Sequence, residues 1–396
     1  MSIRIDHARR PASSPEHTLL APASAAAPGA PPVAPPIAPP NAIDRERRRG
    51  RGANSNRSGR FERFDRIEAD DGWNSFEVLA RFETSVTDET PRRIITRNES
   101  PDISFDRSIN PYRGCEHGCA YCYARTTHAY LGLSPGLDFE TRLFARPSAP
   151  ELLERELAAR GYKPATIALG TNTDPYQPTE RTRRITRRIL EVLARAHHPV
   201  GIVTKSALVT RDIDILAPMA ERGLAKVALS VTSLDAALAR AMEPRAATPD
   251  RRIEALRQLS LAGIPTAVMV APIIPGLNDE EIEGILARAA DASVREAGYV
   301  MLRLPLELRD LFVEWLDEHV PDRARRVMSL VRQMHGGKDY DAAWGRRQRG
   351  TGPLAWSIGR RFEIAAARLK LNTGKLRLRT DLFDPPVPHG GQLRLL

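Results

Sequence analysis

Three cysteines are all that this 396-residue chain contains, and they lie within eight positions: Cys115, Cys119 and Cys122. The run reads SINPYRGCEHGCAYCYA, a CxxxCxxC spacing. Soft thiolate ligands suit iron–sulfur clusters or zinc. Three of them on one short loop can hold three corners of a [4Fe–4S] cubane and leave the fourth iron open to a small molecule. Gly114 and Gly118 allow the backbone to wrap closely around such a core. The competing chemistry is a zinc site completed by His117 or His128. Structural zinc sites usually carry two separated ligand pairs, and no second CxxC or HxxxH pair occurs here. A disulfide framework is excluded by the same count.

The elements that must position this loop follow from the pattern around it. From about residue 76 the chain reads as globular, and two extended segments, 92–97 and 103–108, lead into the cysteines. Helical stretches then alternate with short apolar, β-branched runs. Helices are expected at 150–160, 181–196, 211–222, 250–262 and 279–292, and strands at 165–170, 200–204, 225–230, 266–270 and 299–304. Such alternation indicates βαβ units and a parallel sheet. With the strand that delivers the cysteines, about six units are counted. That is fewer than the eight of a closed barrel, so an open, partial barrel is expected. Beyond residue 305 the alternation stops. Helices at 306–319, 322–334 and 358–369 suggest a C-terminal extension packed on the barrel, with Trp344, Trp356, Phe362 and Leu369 as its apolar anchors.

The first 65 residues read differently. PPVAPPIAPP (31–40) favours extended, solvated backbone, and DRERRRGRGANSNRSGRFERFDR (44–66) has few large apolar side chains. Residues 1–65 are therefore expected to be a disordered tail, residues 76–305 the barrel with its lead-in strands, and 306–396 the helical extension. Deleting residues 1–60 should then be harmless, and deleting from 340 onward damaging. The net charge of +10 sits at the ends. Residues 1–60 hold ten arginines against four acids, and 301–396 hold 18 basic residues against 11 acids. Basic ends make nucleic acid a candidate partner through phosphate contacts, and a solubilising excess of arginine is the alternative. No run of about 18 apolar residues occurs, and the N-terminus lacks an apolar signal core, so a cytoplasmic location is expected.

CEHGCAYC resembles the cluster motif of the radical S-adenosylmethionine (radical SAM) superfamily, whose fold is a partial (β/α)6 barrel. The resemblance spans about residues 104–305. TNTDPYQPTE (171–180), VTKSALVTRDIDIL (203–216), VALSVTS (227–233) and MVAPIIPGLND (269–279) resemble spore photoproduct lyase and its bacterial relatives. The resemblance implies an enzyme that binds a [4Fe–4S] cluster on Cys115, Cys119 and Cys122. It also implies S-adenosylmethionine (SAM) as cofactor, cleaved reductively to a 5′-deoxyadenosyl radical, and an electron donor such as flavodoxin or ferredoxin. Polar residues should then collect where strands end, at the C-terminal mouth of the barrel. Thr173 and Asp174 are suited to the methionyl amine, with an Asx-turn as the structural alternative for Asp174. Lys205 is suited to the methionyl carboxylate and Ser230 to the ribose hydroxyls or carboxylate. Ala271 and Tyr121 are expected to border the adenine.

One departure bears on the reaction. Spore photoproduct lyase carries a further cysteine as hydrogen donor, and the corresponding position here is Asn172. No thiol is left over, so Tyr176 or Tyr299 would have to serve instead. The substrate is unassigned, with nucleic acid the first candidate. The rival class is a non-catalytic metal- or RNA-binding module that keeps the cysteine loop for structure. Strand-end polar residues, which a purely structural loop does not need, favour the enzyme.

Overall fold

The computed structural model describes residues 43–62, 81–374 and 376–387. Residues 1–42 and 63–65 of the expected tail lie outside that set. Short runs rich in Val, Ile and Leu form the strands, which are β1 (Ser85–Asp88), β2 (Ile95–Arg97), β3 (Arg107–Ile109), β4 (Tyr112–Arg113), β5 (Arg142–Ala145), β6 (Ile167–Leu169), β7 (Val200–Thr204), β8 (Ala225–Ser230), β9 (Thr266–Ile273) and β10 (Glu296–Met301). The helices between them are α1 (Asp138–Thr141), α2 (Ala149–Leu157), α3 (Glu180–Arg183), α4 (Ile185–Arg195), α5 (Ile213–Glu221), α6 (Ala236–Met242), α7 (Pro249–Leu261) and α8 (Ile282–Asp291). Three more follow: α9 (Leu308–His319), α10 (Pro321–Met334) and α11 (Gly352–Arg368).

The main sheet has the order β10-β9-β8-β7-β6-β3-β2. β3 and β6 to β10 run parallel in six adjacent strands, and β2 closes one edge antiparallel to β3. This is the expected partial (β/α)6 barrel. A second sheet, β1-β5-β4, lies outside it. Alternation along each strand separates two faces. Ile202, Val227, Leu229, Val268, Val270 and Met301 are buried in the core shared with the helices. The opposite, inner positions include several small residues, Ala168, Gly201, Ala228, Ala267 and Gly298, beside the larger Val203 and Met269. The same parity carries Ser230, Lys205 and Ala271 onto the inner face at the strand ends.

Several boundaries differ from expectation, each for a local reason. The stretch 181–196 divides at Arg184 (φ 50°), because the Glu180 carboxylate accepts from the Thr186 amide at 3.0 Å and starts a second helix there. The last strand ends at Met301 rather than at 304, because Leu302 and Leu304 turn into a separate core with Leu308, Phe312 and Trp315. The third C-terminal helix begins at Gly352, with Pro353 in its first turn. Phe362 anchors that helix in the barrel core and Leu369 packs at its edge. Trp344 and Trp356 are not buried anchors among the described residues: they are 62% and 71% exposed.

The larger correction concerns the N-terminal segment. Residues 43–62 are not a free tail, and Gly52, Ala53, Asn54 and Ser55 are buried. Their arginines face a carboxylate row along α9 and the residue before it. Arg48 meets Glu318 at 2.6 Å, Arg57 meets Glu314 at 2.6 Å, and Arg60 meets Glu307 at 2.8 Å. Composition made the segment look unable to fold because it buries polar backbone and ion pairs rather than apolar side chains.

Candidate functional site

The cysteine loop leaves β3 through Asn110 and β4, so it starts at the C-terminal end of the first parallel strand. Gly114 and Gly118 take left-handed φ of 74° and 65°. A side chain at either would meet Leu143 and Phe139, or the Glu140 carboxylate, within 3 Å. The Cys115 amide donates to Phe139 O at 2.9 Å, and Ala120 N to Met242 O at 2.9 Å. Gln177 bridges the loop, accepting from Glu116 N at 2.9 Å and donating to Gly114 O at 3.2 Å. Arg125, fully buried, donates to Cys119 O at 2.9 Å, Gly118 O at 3.0 Å, Gly136 O at 2.9 Å and Pro135 O at 3.1 Å. Its remaining donor capacity goes to Glu140.

Cys115 and Cys119 are buried, Cys122 is half-buried, and none is in a disulfide. Burial pushes the Cys115 and Cys119 thiols upward, with neighbouring negative groups adding to it. Charge on these sulfurs is costly there unless a cation binds them. Three thiols on a loop shaped by two left-handed glycines are a donor set that fits an iron–sulfur cluster. No three His, Cys, Asp or Glu side chains among the described residues converge on a single-ion site. The zinc partners considered above have other roles. His117 Nδ1 lies 3.3 Å from Asp174 Oδ2, and His128 packs edge-on to Phe139.

Four of the six residues expected around SAM come together. Lys205 follows β7, and its ammonium stands 5.7 Å from the centre of the Tyr121 ring. Among the described residues the ammonium has no hydrogen-bond or ion-pair partner. Burial works against its charge, but Cys119 and Glu243 outweigh that and hold it above the ordinary lysine range. Tyr121 donates to Glu243, and its hydroxyl is 3.2 Å from Thr232 Oγ1. Thr232 also reaches Glu243 at 2.6 Å and the Ala271 carbonyl at 3.2 Å. Arg252 pairs with Glu243 and donates to Ser230 O at 3.0 Å. A buried Thr232–Glu243–Arg252 network therefore links Tyr121, Ser230 and Ala271 beside Lys205. Burial alone would raise the Glu243 carboxyl, but Arg252 and Lys205 hold it at about 2.

The other two expected residues are spent on the protein itself. Thr173 donates to Tyr112 O at 2.8 Å. Asp174 accepts from Thr204 Oγ1 at 2.7 Å and from the amides of Lys205 and Tyr176, each at 2.8 Å. The Tyr176 contact is the Asx-turn that was the structural alternative. With His117 added, the carboxylate is held at about 2 against the effect of its burial. Asp174 thus ties the Lys205 backbone to the loop after β6. Neither tyrosine considered as hydrogen donor faces the inner side. Tyr176 is buried among helices with its hydroxyl on Asp212 at 3.1 Å, and Tyr299 packs against Phe362. Arg125, Glu140, Gln177, Thr232, Glu243 and Arg252 escaped the sequence reading. Nothing in a single sequence distinguishes a buried ion pair from the many exposed ones in an arginine-rich chain.

The six-stranded parallel sheet and the three free thiols that follow its first strand define a partial-barrel protein with a thiol loop at its C-terminal mouth. The chain belongs to the radical SAM superfamily, whose family model matches residues 109–289. Radical SAM proteins generally use a [4Fe–4S] cluster and S-adenosylmethionine and need a reductant. Uncharacterised proteins of Mycobacterium bovis and Mycobacterium tuberculosis are 35% identical over 233 residues, covering 58% of this chain and 68% of each relative. A Methanocaldococcus jannaschii protein is 29% identical over 173 residues, covering 44% of this chain and 62% of its own length. A structure of spore photoproduct lyase complexed with dinucleoside spore photoproduct is similar at a TM-score of 0.51. It shares 15% identity, over 72% of this chain and 79% of that one. At that identity the likeness is one of fold. No helix among the described residues is long and apolar enough to cross a membrane.

Proposed function

We propose that this chain is an enzyme that holds a [4Fe–4S] cluster on Cys115, Cys119 and Cys122 and binds SAM beside it, between Lys205, Tyr121, Ser230 and Ala271. The single observation that carries this is the unpaired Lys205 ammonium. Lys205 is half-buried and its ammonium makes no direct hydrogen bond or ion pair among the described residues, so an anion from outside can complete it. A methionyl carboxylate has the charge and size to do so. When bound, the cluster and SAM together supply one-electron cleavage of SAM to a 5′-deoxyadenosyl radical. The chain's own part is positional. Arg125 and Gln177 fix the thiol loop, Asp174 fixes the Lys205 backbone, and Glu243 with Thr232 fixes the Tyr121 ring. A non-catalytic module with a structural thiol loop would have no need of an unpaired lysine at a strand end. The test is anaerobic reconstitution, reduction in the presence of SAM, and measurement of 5′-deoxyadenosine. Absence of that product from a fully loaded, reduced protein would overturn the proposal.

For the substrate, the observation that favours nucleic acid is Arg303, whose guanidinium lies 4.1 Å from the centre of the Tyr123 ring. Arg303 makes no ion pair among the described residues, and Tyr123 directly follows the cluster cysteine Cys122. A cation stacked on a half-exposed aromatic ring suits a phosphate and a base together. By contrast, Arg48, Arg57 and Arg60 are neutralised by carboxylates and do not support such contacts. Gel-shift binding over a salt series should show a shallower salt slope for Arg303→Gln than for wild type. An unchanged slope removes Arg303 from the interface, and no binding at low salt removes nucleic acid.

A further inference from the structure

Gly52 lies directly against the cysteine loop, and residues 51–57 run along residues 134–140 beside it. The backbones approach so closely that a Cβ at Gly52 would be 1.7 Å from Gly118 O, and one at Gly136 would be 2.2 Å from Ser55 O. The amides of Gly52 and Ala53 donate to the two Glu140 oxygens at 2.9 and 2.8 Å. The same carboxylate pairs with Arg125, whose other donors hold Gly118 O and Cys119 O. Arg51 reaches Glu140 O at 3.0 Å. Asn56 and Asp138 exchange two hydrogen bonds, of 2.9 and 3.1 Å. On its far side the segment is fastened to α9 by Arg48–Glu318, Arg57–Glu314 and Arg60–Glu307.

From this geometry we infer that residues 43–62 are a clamp that positions the thiol loop, acting through Glu140 and Arg125. Each link is physical. Glu140 is buried, and three of its four acceptor sites are taken, by two strap amides and one guanidinium. Without the strap, two of those charge-assisted bonds vanish and a buried carboxylate loses part of its compensation. Arg125 is then less firmly held, and it is the group that ties the carbonyls on either side of Cys119. The strap also covers Gly118 O, against which Gly52 lies directly. Arg125 and Glu140 are positioning residues, because neither touches a cysteine sulfur.

The inference rests on the cluster assignment proposed above, but its first test does not. Gly52→Val places a side chain where Gly118 O lies and lifts the strap. In metal-free protein, amide hydrogen exchange at Gly118 and Ala120 should accelerate about tenfold to a hundredfold, the equivalent of one charge-assisted bond lost. Exchange in the core strand 266–273 should stay unchanged, which separates loop release from unfolding. If Gly52→Val fails to fold, Arg57→Ala with Arg60→Ala weakens only the α9 side. That pair should give the same localised acceleration relative to wild type, weaker at high salt because the exposed ion pairs are then already screened in wild type. In reconstituted protein, either change should speed cluster loss to a chelator, read from visible absorbance. Wild-type exchange at Gly118 and Ala120 in a folded variant overturns the clamp. Failure of wild type to take up iron and sulfide overturns the cluster assignment and leaves the exchange result standing.

Discussion

Replacing Lys205 by alanine separates an ammonium waiting for a ligand from one that serves the fold. Inside the protein the substitution removes a cation–aromatic contact at 5.7 Å, worth about 0.5–1 kcal/mol. It also removes one of two positive neighbours of Glu243, which keeps its direct pair with Arg252. The thermal midpoint should therefore move by only a few degrees. Toward SAM the loss is one charge-assisted hydrogen bond, about 1.5–3 kcal/mol, or roughly tenfold to a hundredfold in affinity. Arginine should rescue only in part, because its planar fork does not replace a compact ammonium. The assay is SAM titration of anaerobically reconstituted wild type and Lys205→Ala, with cluster absorbance recorded in parallel. Equal affinities would refute the assignment. A fall in cluster content matching the fall in binding would show that Lys205 supports the loop rather than the ligand.

Other outcomes follow from the same structure. Alanine at Cys115, Cys119 or Cys122 should each abolish stable uptake of about four irons per chain, measured by iron and sulfide analysis with the fold checked by circular dichroism. Arg252→Met should cost about 3–5 kcal/mol, because it strands the buried Glu243 carboxylate. Adding Glu243→Gln should recover part of that loss, and denaturant unfolding of both variants checks the pair. His198 is held neutral between Tyr162, which donates to Nε2 at 2.8 Å, and Pro199 O at 3.1 Å. Burial lowers its pKa from 6.5 to about 4. The unfolded chain therefore binds a proton in that interval that the folded chain does not. Its contribution is complete above pH 6.5 and declines as pH falls toward 4, by roughly 3 kcal/mol. His198→Gln should flatten the loss of stability across that window, and an unchanged slope would place the titration elsewhere.

The division between sequence and structure follows the range of the interactions involved. Three thiols in eight residues, and β-branched runs spaced by amphipathic helices, are local patterns. They were enough to specify the thiol loop, the six parallel strands and the position of Lys205 at a strand end. Inner-face parity carried Ser230 and Ala271 to the same mouth for the same reason, since side chains alternate along a strand whatever lies beyond it. What the sequence could not show was which groups are buried and which partners, far along the chain, they meet. Asp174 looked available, but Thr204, 30 residues on, and the Lys205 amide occupy it. Trp344 and Trp356 looked like anchors by composition alone. Residues 43–62 looked unfoldable because they are poor in apolar side chains, yet Glu140 and the carboxylates of residues 307–318 receive them. A buried ion pair is decided by where two distant side chains meet, and that depends on tertiary packing rather than on any local pattern.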